Sequence, residues 1–422
     1  MKLKISLITF SLLSYFSLFF FKDYSISGSQ SDFKSFYFDN IQLFKVDFFN
    51  SIKNYGLLRD ANYPLDYIFH AFLNPLSFDK NLFLLTTFFI GFLTFLIFAI
   101  ALKKVKFSNI DSFSLASLIL LLPWFSGRAY WGTSANLGIF LLILSFYYFI
   151  KIKINKNYFI KSDIFYLCLF SSAALYTRNS FIFFPIFVIF YLFINNYDIK
   201  TKIFTIINYL FLSLPGLILI YIWGDLHDTK NFSIHEIHNA NNILKNLPIL
   251  LNFIFFYLWP IFFIEFRNIG LKNFFAKYKN PFLFIFLVFL ILSFFGKMNY
   301  LSNLELGGGV ILEFGKYLND YYNIIFLITA SMGFSFIYSF FKFDLKNSII
   351  LFIPIALIFG FPQALYQDYL EPLIIVLFFL GIMSNNMTDF LKLNINKTYI
   401  IYFTYFVIYN YSALIYKNLL IF

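Results

Sequence analysis

Two kinds of side chain in this sequence could do chemistry at a polar surface: carboxylates able to accept a proton, and arginines able to hold an anion. Asp39 stands in "FYFDNIQLFKVDFFNSIKNYG". The following stretch "LLRDANYPLDYIFHAF", Leu57 to Phe72, gathers Arg59, Asp60, Tyr63, Asp66 and His70 among aromatic and aliphatic residues. His70 follows Asp66 by one helical turn and shares its face, so the two can pair. The chain has only four arginines, Arg59, Arg128, Arg178 and Arg267, against many lysines. A sequence that otherwise uses lysine places arginine where a planar fork for phosphate or carboxylate is wanted. Each group also has a plainer reading. Asp39, Asp60 and Asp66 can cap or solvate helix starts, and the arginines can be interfacial anchors or structural ion pairs.

The elements that position these groups follow from composition. The chain has 422 residues, 60% hydrophobic, 24% aromatic and 13% charged. Apolar runs of about fifteen to twenty-five residues recur along it, which predicts an all-α, polytopic membrane protein of about 11–13 transmembrane helices. The 68 phenylalanines read mostly as lipid-facing filler from an A/T-rich codon bias. Cys168 is the sole cysteine, which excludes an intrachain disulfide and a cysteine metal cluster. The net charge of +11 does not point to nucleic acid, because lysines gather in short gaps after alternate apolar runs, as at Lys103, Lys104 and Lys106, at Lys151, Lys153, Lys156 and Lys161, and at Lys200 and Lys202. This is a positive-inside pattern. It places the N-terminus in the cytoplasm and most acids outside.

Spans are expected at about residues 5–21, 82–102, 112–126, 132–150, 163–177, 180–195, 203–223, 247–264, 281–295, 322–340, 348–365, 371–384 and 398–416. The first is expected to be a retained anchor rather than a cleaved signal peptide. Long outer loops then cover about 22–81, 224–246 and 296–321, within one domain spanning the whole chain. In the first of them, Phe38, Ile41, Phe44, Phe48, Ile52 and Tyr55 recur at helical spacing. They predict an amphipathic helix lying on the membrane surface and stopped by Gly56. A second short helix starts near Pro64 and is broken by Asn74-Pro75. The spans before Arg128 and Arg178 are only about fifteen residues long and rise about 22 Å, against a hydrocarbon core of about 30 Å. Both arginines are therefore expected in a recess below the outer interface.

Other segments carry weaker signals. "HDTKNFSIHEIH" holds His227, His235, Glu236 and His238 without a standard zinc spacing, and Gly307–Gly309 lack the Walker Gly-Lys-Ser/Thr ending. "LYQDYLEPL" puts Tyr366, Gln367, Asp368 and Glu371 at the outer end of two late spans, either lining a site or merely interfacial.

The order of these pieces resembles the GT-C superfamily of membrane glycosyltransferases, closest to the bacterial branch that uses polyprenyl-phosphate sugars. The resemblance rests on Asp39 after the first span, Gly56, "YPLDYIFHAF", "SGRAYWGTSANLGIFLLIL", "ALYTRNSFIFFP" and "YQDYLEPLIIVL". It covers about two thirds of the chain. One departure is Asn40 after Asp39, where an Asp-Glu pair is common in the family, and the third large loop matches no signature. The resemblance implies a lipid-phosphate sugar as donor and an extracytoplasmic glycan, lipid or protein as acceptor. It also implies a carboxylate base, Asp39 with Asp66 and His70 in reserve, and a phosphate clamp of Arg128, Arg178 and Arg59. Asp60, Tyr63, His70, Tyr366, Gln367, Asp368 and Glu371 would line the cavity. The resemblance fixes no cofactor, and a divalent metal ion would fit such chemistry. Two other classes remain open: an O-antigen or exopolysaccharide polymerase or ligase, and a non-enzymatic transporter of lipid-linked glycans. A transporter would be expected to show matched halves with ionisable groups at mid-membrane.

Overall fold

The computed structural model describes residues 2–21, 32–58, 62–105, 107–133, 135–156, 158–224, 242–294, 322–341, 354–355, 370–375 and 385–420. Most of these residues are helical, and no strand occurs among them. The protein is an all-α polytopic chain. Four helical stretches among the described residues are long and apolar enough to cross a membrane: Lys80–Lys104, Ala135–Ile154, Ile199–Trp223 and Asn246–Ser293, the last of them broken at Gly270. A fifth crossing forms if the bent pair Asn109–Leu121 and Pro123–Ala129 is one span. The chain divides into two compact units, Met1–Ser233 with Tyr402–Phe422, and Ile234–Ile401.

In the first unit, α1 (Lys2–Phe21) leads to a loop that folds as three short helices, α2 (Phe38–Val46), α3 (Phe48–Lys53) and α4 (Leu65–Phe72). Then come α5 (Lys80–Lys104), α6 (Asn109–Ser117), α7 (Pro123–Trp131), α8 (Ala135–Ile154), α9 (Lys161–Thr177), α10 (Phe183–Ile194) and α11 (Ile199–Trp223). Helix starts are made by residues that satisfy the free backbone N–H groups there. The Asp79 carboxylate accepts from the Asn81 and Leu82 N–H groups to open α5, Asp47 accepts from Asn50 to open α3, and Ser108 accepts from Asp111 to open α6. The first helix is part of the bundle, with the buried Tyr15 hydroxyl donating to the Phe88 carbonyl at 3.0 Å and its ring stacked on Phe88. At the lysine-bearing end, Lys4 pairs with Asp111, and Lys151 donates to Asp163 at 2.6 Å. The last stretch of chain returns to this unit through the Asn410 amide, which donates to the Leu121 carbonyl at 3.0 Å.

Two expectations are corrected by the packing. Phe38, Ile41, Phe44, Ile52 and Tyr55 do share one apolar cluster, but they sit on two helices broken at Asp47 and a 3-10 turn that runs through Gly56 instead of one helix stopped by it, and the cluster is buried inside the loop against Tyr67, Phe83 and Trp131. An amphipathic stripe reports only that something apolar covers it. The region before Arg128 is not a short straight span. Leu122 precedes Pro123 and is extended (φ −63°, ψ 128°) because proline disfavours helical backbone in the residue before it. The chain bends there by 75° and restarts as α7.

The second unit contains α12 (Asn242–Phe294), interrupted at Gly270 with φ 75°. Residues twelve apart in a straight helix would stand about 18 Å apart. Here Lys277 and Tyr278 both donate to Glu265, and the Phe262 and Tyr278 rings are 5.3 Å apart. The chain therefore doubles back at Gly270 into two legs, as the separate apolar runs at about 247–264 and 281–295 predict. Helix α13 (Tyr322–Phe341) packs along α12, where the Asn252 amide donates to the Phe326 carbonyl at 3.0 Å and Thr329 donates to the Asn252 side chain.

Candidate functional site

The loop between α1 and α5 rests on the ends of the helices that carry two arginines. Arg128 lies on α7 and is 8% exposed. Its Nη1 donates to Thr133 Oγ1 at 2.7 Å, and its guanidinium carbon lies 5.5 Å from the Trp124 ring. Helix α7 is held by the Thr87 hydroxyl, which donates to the Ala129 carbonyl at 2.7 Å. Gly132 ends the helix in the left-handed region at φ 59°, with the Phe83 ring where a side chain would be. Trp131 belongs to the same aromatic cluster as Phe33, Phe38 and Phe83, which packs this corner against the loop.

Arg178 follows α9 in extended backbone and is 4% exposed. Its neighbour Asn179 donates its N–H to the Asn62 side chain at 3.3 Å, tying the α9–α10 hairpin to the loop. Tyr63 stands edge-on to Tyr176 at 5.5 Å and stacks on Trp223 at 6.0 Å. Burial, and then the nearby Tyr176, raise the Tyr63 hydroxyl pKa. The loop thus touches both arginine-bearing helix ends.

Asp39 is not a helix N-cap. Helical backbone runs through it from the π-turn Phe33–Tyr37 into α2, and its carboxylate is 64% exposed with Lys80 3.7 Å away. Its neighbours fix it: the Phe38 ring packs against Phe83, and the Asn40 amide donates to the Leu58 carbonyl at 2.9 Å. Asp66 and His70 are brought together as their spacing predicts, but deep in the loop, at 1% and 2% exposure with Asp66 Oδ1 3.8 Å from His70 Nε2. Neither Asp66 oxygen has a hydrogen-bond partner. The Leu76 N–H and the Thr86 hydroxyl both donate to Asn74 Oδ1 at 3.0 Å. The Asn74 amide is therefore oriented with its NH₂ toward His70 Nδ1, 3.1 Å away. His70 Nδ1 is the acceptor, and the ring proton sits on Nε2, facing Asp66. Burial pushes the Asp66 carboxyl up to about 8 and the His70 imidazole down to about 3. Near neutral pH the pair holds one proton and no net charge.

No protein-family model matches the chain, and no curated protein matches it.

Glu371 belongs to the second unit, where it is buried and accepts from the Tyr257 hydroxyl. Arg59, Asp60, Tyr366, Gln367 and Asp368 lie outside the described residues, as do the segment from His227 to His238 and Gly307–Gly309. Among the described residues no group of three or more His, Cys, Asp and Glu side chains is placed to hold a metal ion. Sequence reasoning missed Asn74 as the partner of His70, reading it only as part of a breaker. The signal was present: Asp66, His70 and Asn74 repeat every four residues, one helical face. The partners Thr133 and Asn62 had no comparable local signature.

Proposed function

We propose that this protein is an integral-membrane glycosyltransferase that moves a sugar from a polyprenyl-phosphate donor to an extracytoplasmic glycan, lipid or protein acceptor. The observation that carries this reading is the burial of two guanidinium groups, Arg128 and Arg178, at helix ends covered by one loop, while that loop presents an accessible carboxylate, Asp39. A fixed cation in a low-dielectric recess stabilises a developing phosphate anion far better than a solvated one. The positive-inside pattern puts the lysine-bearing helix ends in the cytoplasm and the loop outside. Nucleotide sugars are scarce there, and a donor delivered from the bilayer suits the chemistry.

In this mechanism Asp39 takes the proton from the acceptor hydroxyl as its oxygen bonds to the anomeric carbon. The bond from that carbon to the phosphate oxygen breaks with its electron pair going to the polyprenyl phosphate, whose charge Arg128 and Arg178 neutralise. Direct displacement inverts the anomeric configuration. Of the other described acids in the loop, Asp47 and Asp79 are spent as helix caps, Asp66 is neutral and shut away with His70, and Asp32 is half-buried just ahead of the π-turn. Arg59 would join the phosphate clamp, and the Tyr63 and Trp223 rings offer a stacking wall for sugar or prenyl groups.

The test is reconstitution of the purified protein in liposomes with radiolabelled polyprenyl-phosphate sugars and a panel of lipid-linked acceptors. Asp39→Asn is expected to lower turnover by about 10²–10⁴-fold, the usual weight of a general base. Absence of transfer from every donor, or full activity in Asp39→Asn, defeats this mechanism.

A further inference from the structure

The stripe expected to lie on the membrane is buried, yet the same loop exposes a different apolar surface. Val46 is 85% exposed and Phe49 is 82% exposed, and Leu43, Phe72, Leu73 and Phe78 are exposed beside them. Two contacts bring the segments that carry these residues side by side. The Phe48 ring, next to Phe49, packs on Phe72 at 5.8 Å, and the Gln42 amide, next to Leu43, donates to the Ser77 carbonyl, next to Phe78, at 2.7 Å. Large apolar side chains gathered on one face outside the spans would cost about 25 cal/mol for each Å² left in water.

The depth of the loop is fixed by the two membrane-crossing helices to which it is attached. Phe78 stands two residues before α5, which starts at Lys80 with Asp79 as its cap. At the other side, Trp223 is the last residue of α11, and its indole N–H donates to the Ile52 carbonyl at 2.8 Å, one turn from Phe49. The Tyr55 ring stacks on the same indole at 5.3 Å. A helix of 25 residues is about 37 Å long and outreaches a hydrocarbon core of about 30 Å by a few ångströms. Its final residue, and the loop bonded to it, therefore stand at the level of the lipid headgroups.

We propose that Leu43, Val46, Phe49, Phe72, Leu73 and Phe78 insert into the leaflet on the side of the first loop, making the loop a second, monotopic membrane contact beside the spans. The partner is the lipid surface itself, because the patch is continuous with the start of a span and is held at headgroup depth from both sides. Interfacial insertion of this kind draws its strength from buried apolar area. The inference rests on the spans alone and is independent of sugar transfer.

The test uses single-cysteine variants of the full chain in a Cys168→Ala background, with Val46→Cys, Phe49→Cys and Phe72→Cys set against Lys53→Cys, which is exposed on the same loop outside the patch. Each is labelled with the fluorophore NBD and reconstituted in phosphatidylcholine and phosphatidylglycerol vesicles. Shallow spin-labelled lipid is expected to quench the three patch positions at least about twofold more than Lys53→Cys, with aqueous iodide showing the reverse order. Quenching of all positions alike by iodide overturns the proposal. So does shielding of the patch positions from both quenchers, which would mean that protein covers them. Because the three positions are exposed and read independently, loss of one variant to misfolding leaves the other two decisive.

Discussion

Asp66 and His70 share one proton across a wide pH range, and that count sets how the first loop responds to pH. In the folded protein the pair holds one proton between about 3 and about 8, whereas unfolded values of 3.8 and 6.5 leave it two protons below 3.8 and none above 6.5. Asp66, with its folded value raised, contributes stability that is lost as pH climbs toward 8. His70, with its folded value lowered, contributes stability that is lost as pH falls toward 3. Between 3.8 and 6.5 the two slopes cancel. Stability is therefore expected to be flat in that window and to fall on either side, by on the order of 2 kcal/mol from pH 6.5 to 8. Unfolding midpoints measured against pH should show the alkaline fall in wild type and not in Asp66→Asn. Parallel falls in the two proteins would remove the pair from the account. Local spacing made the contact between Asp66 and His70 legible in the sequence. Its burial was not, because that depends on Phe83 and Thr86 arriving from α5.

At the scale of elements, the sequence located helices well and misjudged what they pack against. Apolar runs mark α5, α8 and α11 because a membrane-crossing helix needs an unbroken apolar length. The break at Leu122–Pro123 was hidden inside one such run, since hydropathy does not register backbone angles. The corner that follows depends on Gly132. Alanine there must adopt a left-handed backbone, costing about 1–2 kcal/mol, and its methyl would also overlap the Phe83 ring, adding roughly 1–3 kcal/mol. Gly224 ends α11 at φ 76° with nothing within 4 Å of such a methyl, so Gly224→Ala bears the backbone cost alone. Denaturant unfolding in detergent should find Gly132→Ala the more damaging of the two. In the transfer assay it should also weaken donor use, because it disturbs the helix end that carries Arg128. Equal losses of stability would show that the Phe83 contact does not constrain this corner.

At the scale of the whole molecule, lysine placement was the most informative signal in the sequence, because it is written in composition and needs no knowledge of packing. The structure orders those lysines by alternating helices: α5 ends at Lys103 and Lys104, α8 ends near Lys151 and Lys153, and α9 and α11 begin at the same end. The first loop and both buried arginines stand at the opposite end. The orientation proposed from charge bias sets the arginine-bearing end outside. In intact cells, a membrane-impermeant maleimide should react with a cysteine introduced at Lys53 and spare one introduced at Lys104, both exposed positions, in the Cys168→Ala background. Permeabilisation should then open Lys104→Cys to the reagent. The reverse pattern would put Asp39, Arg128 and Arg178 on the side where nucleotide sugars are plentiful. The argument for a lipid-phosphate donor would fall with it, while the helical architecture and the lipid contact of the first loop would stand.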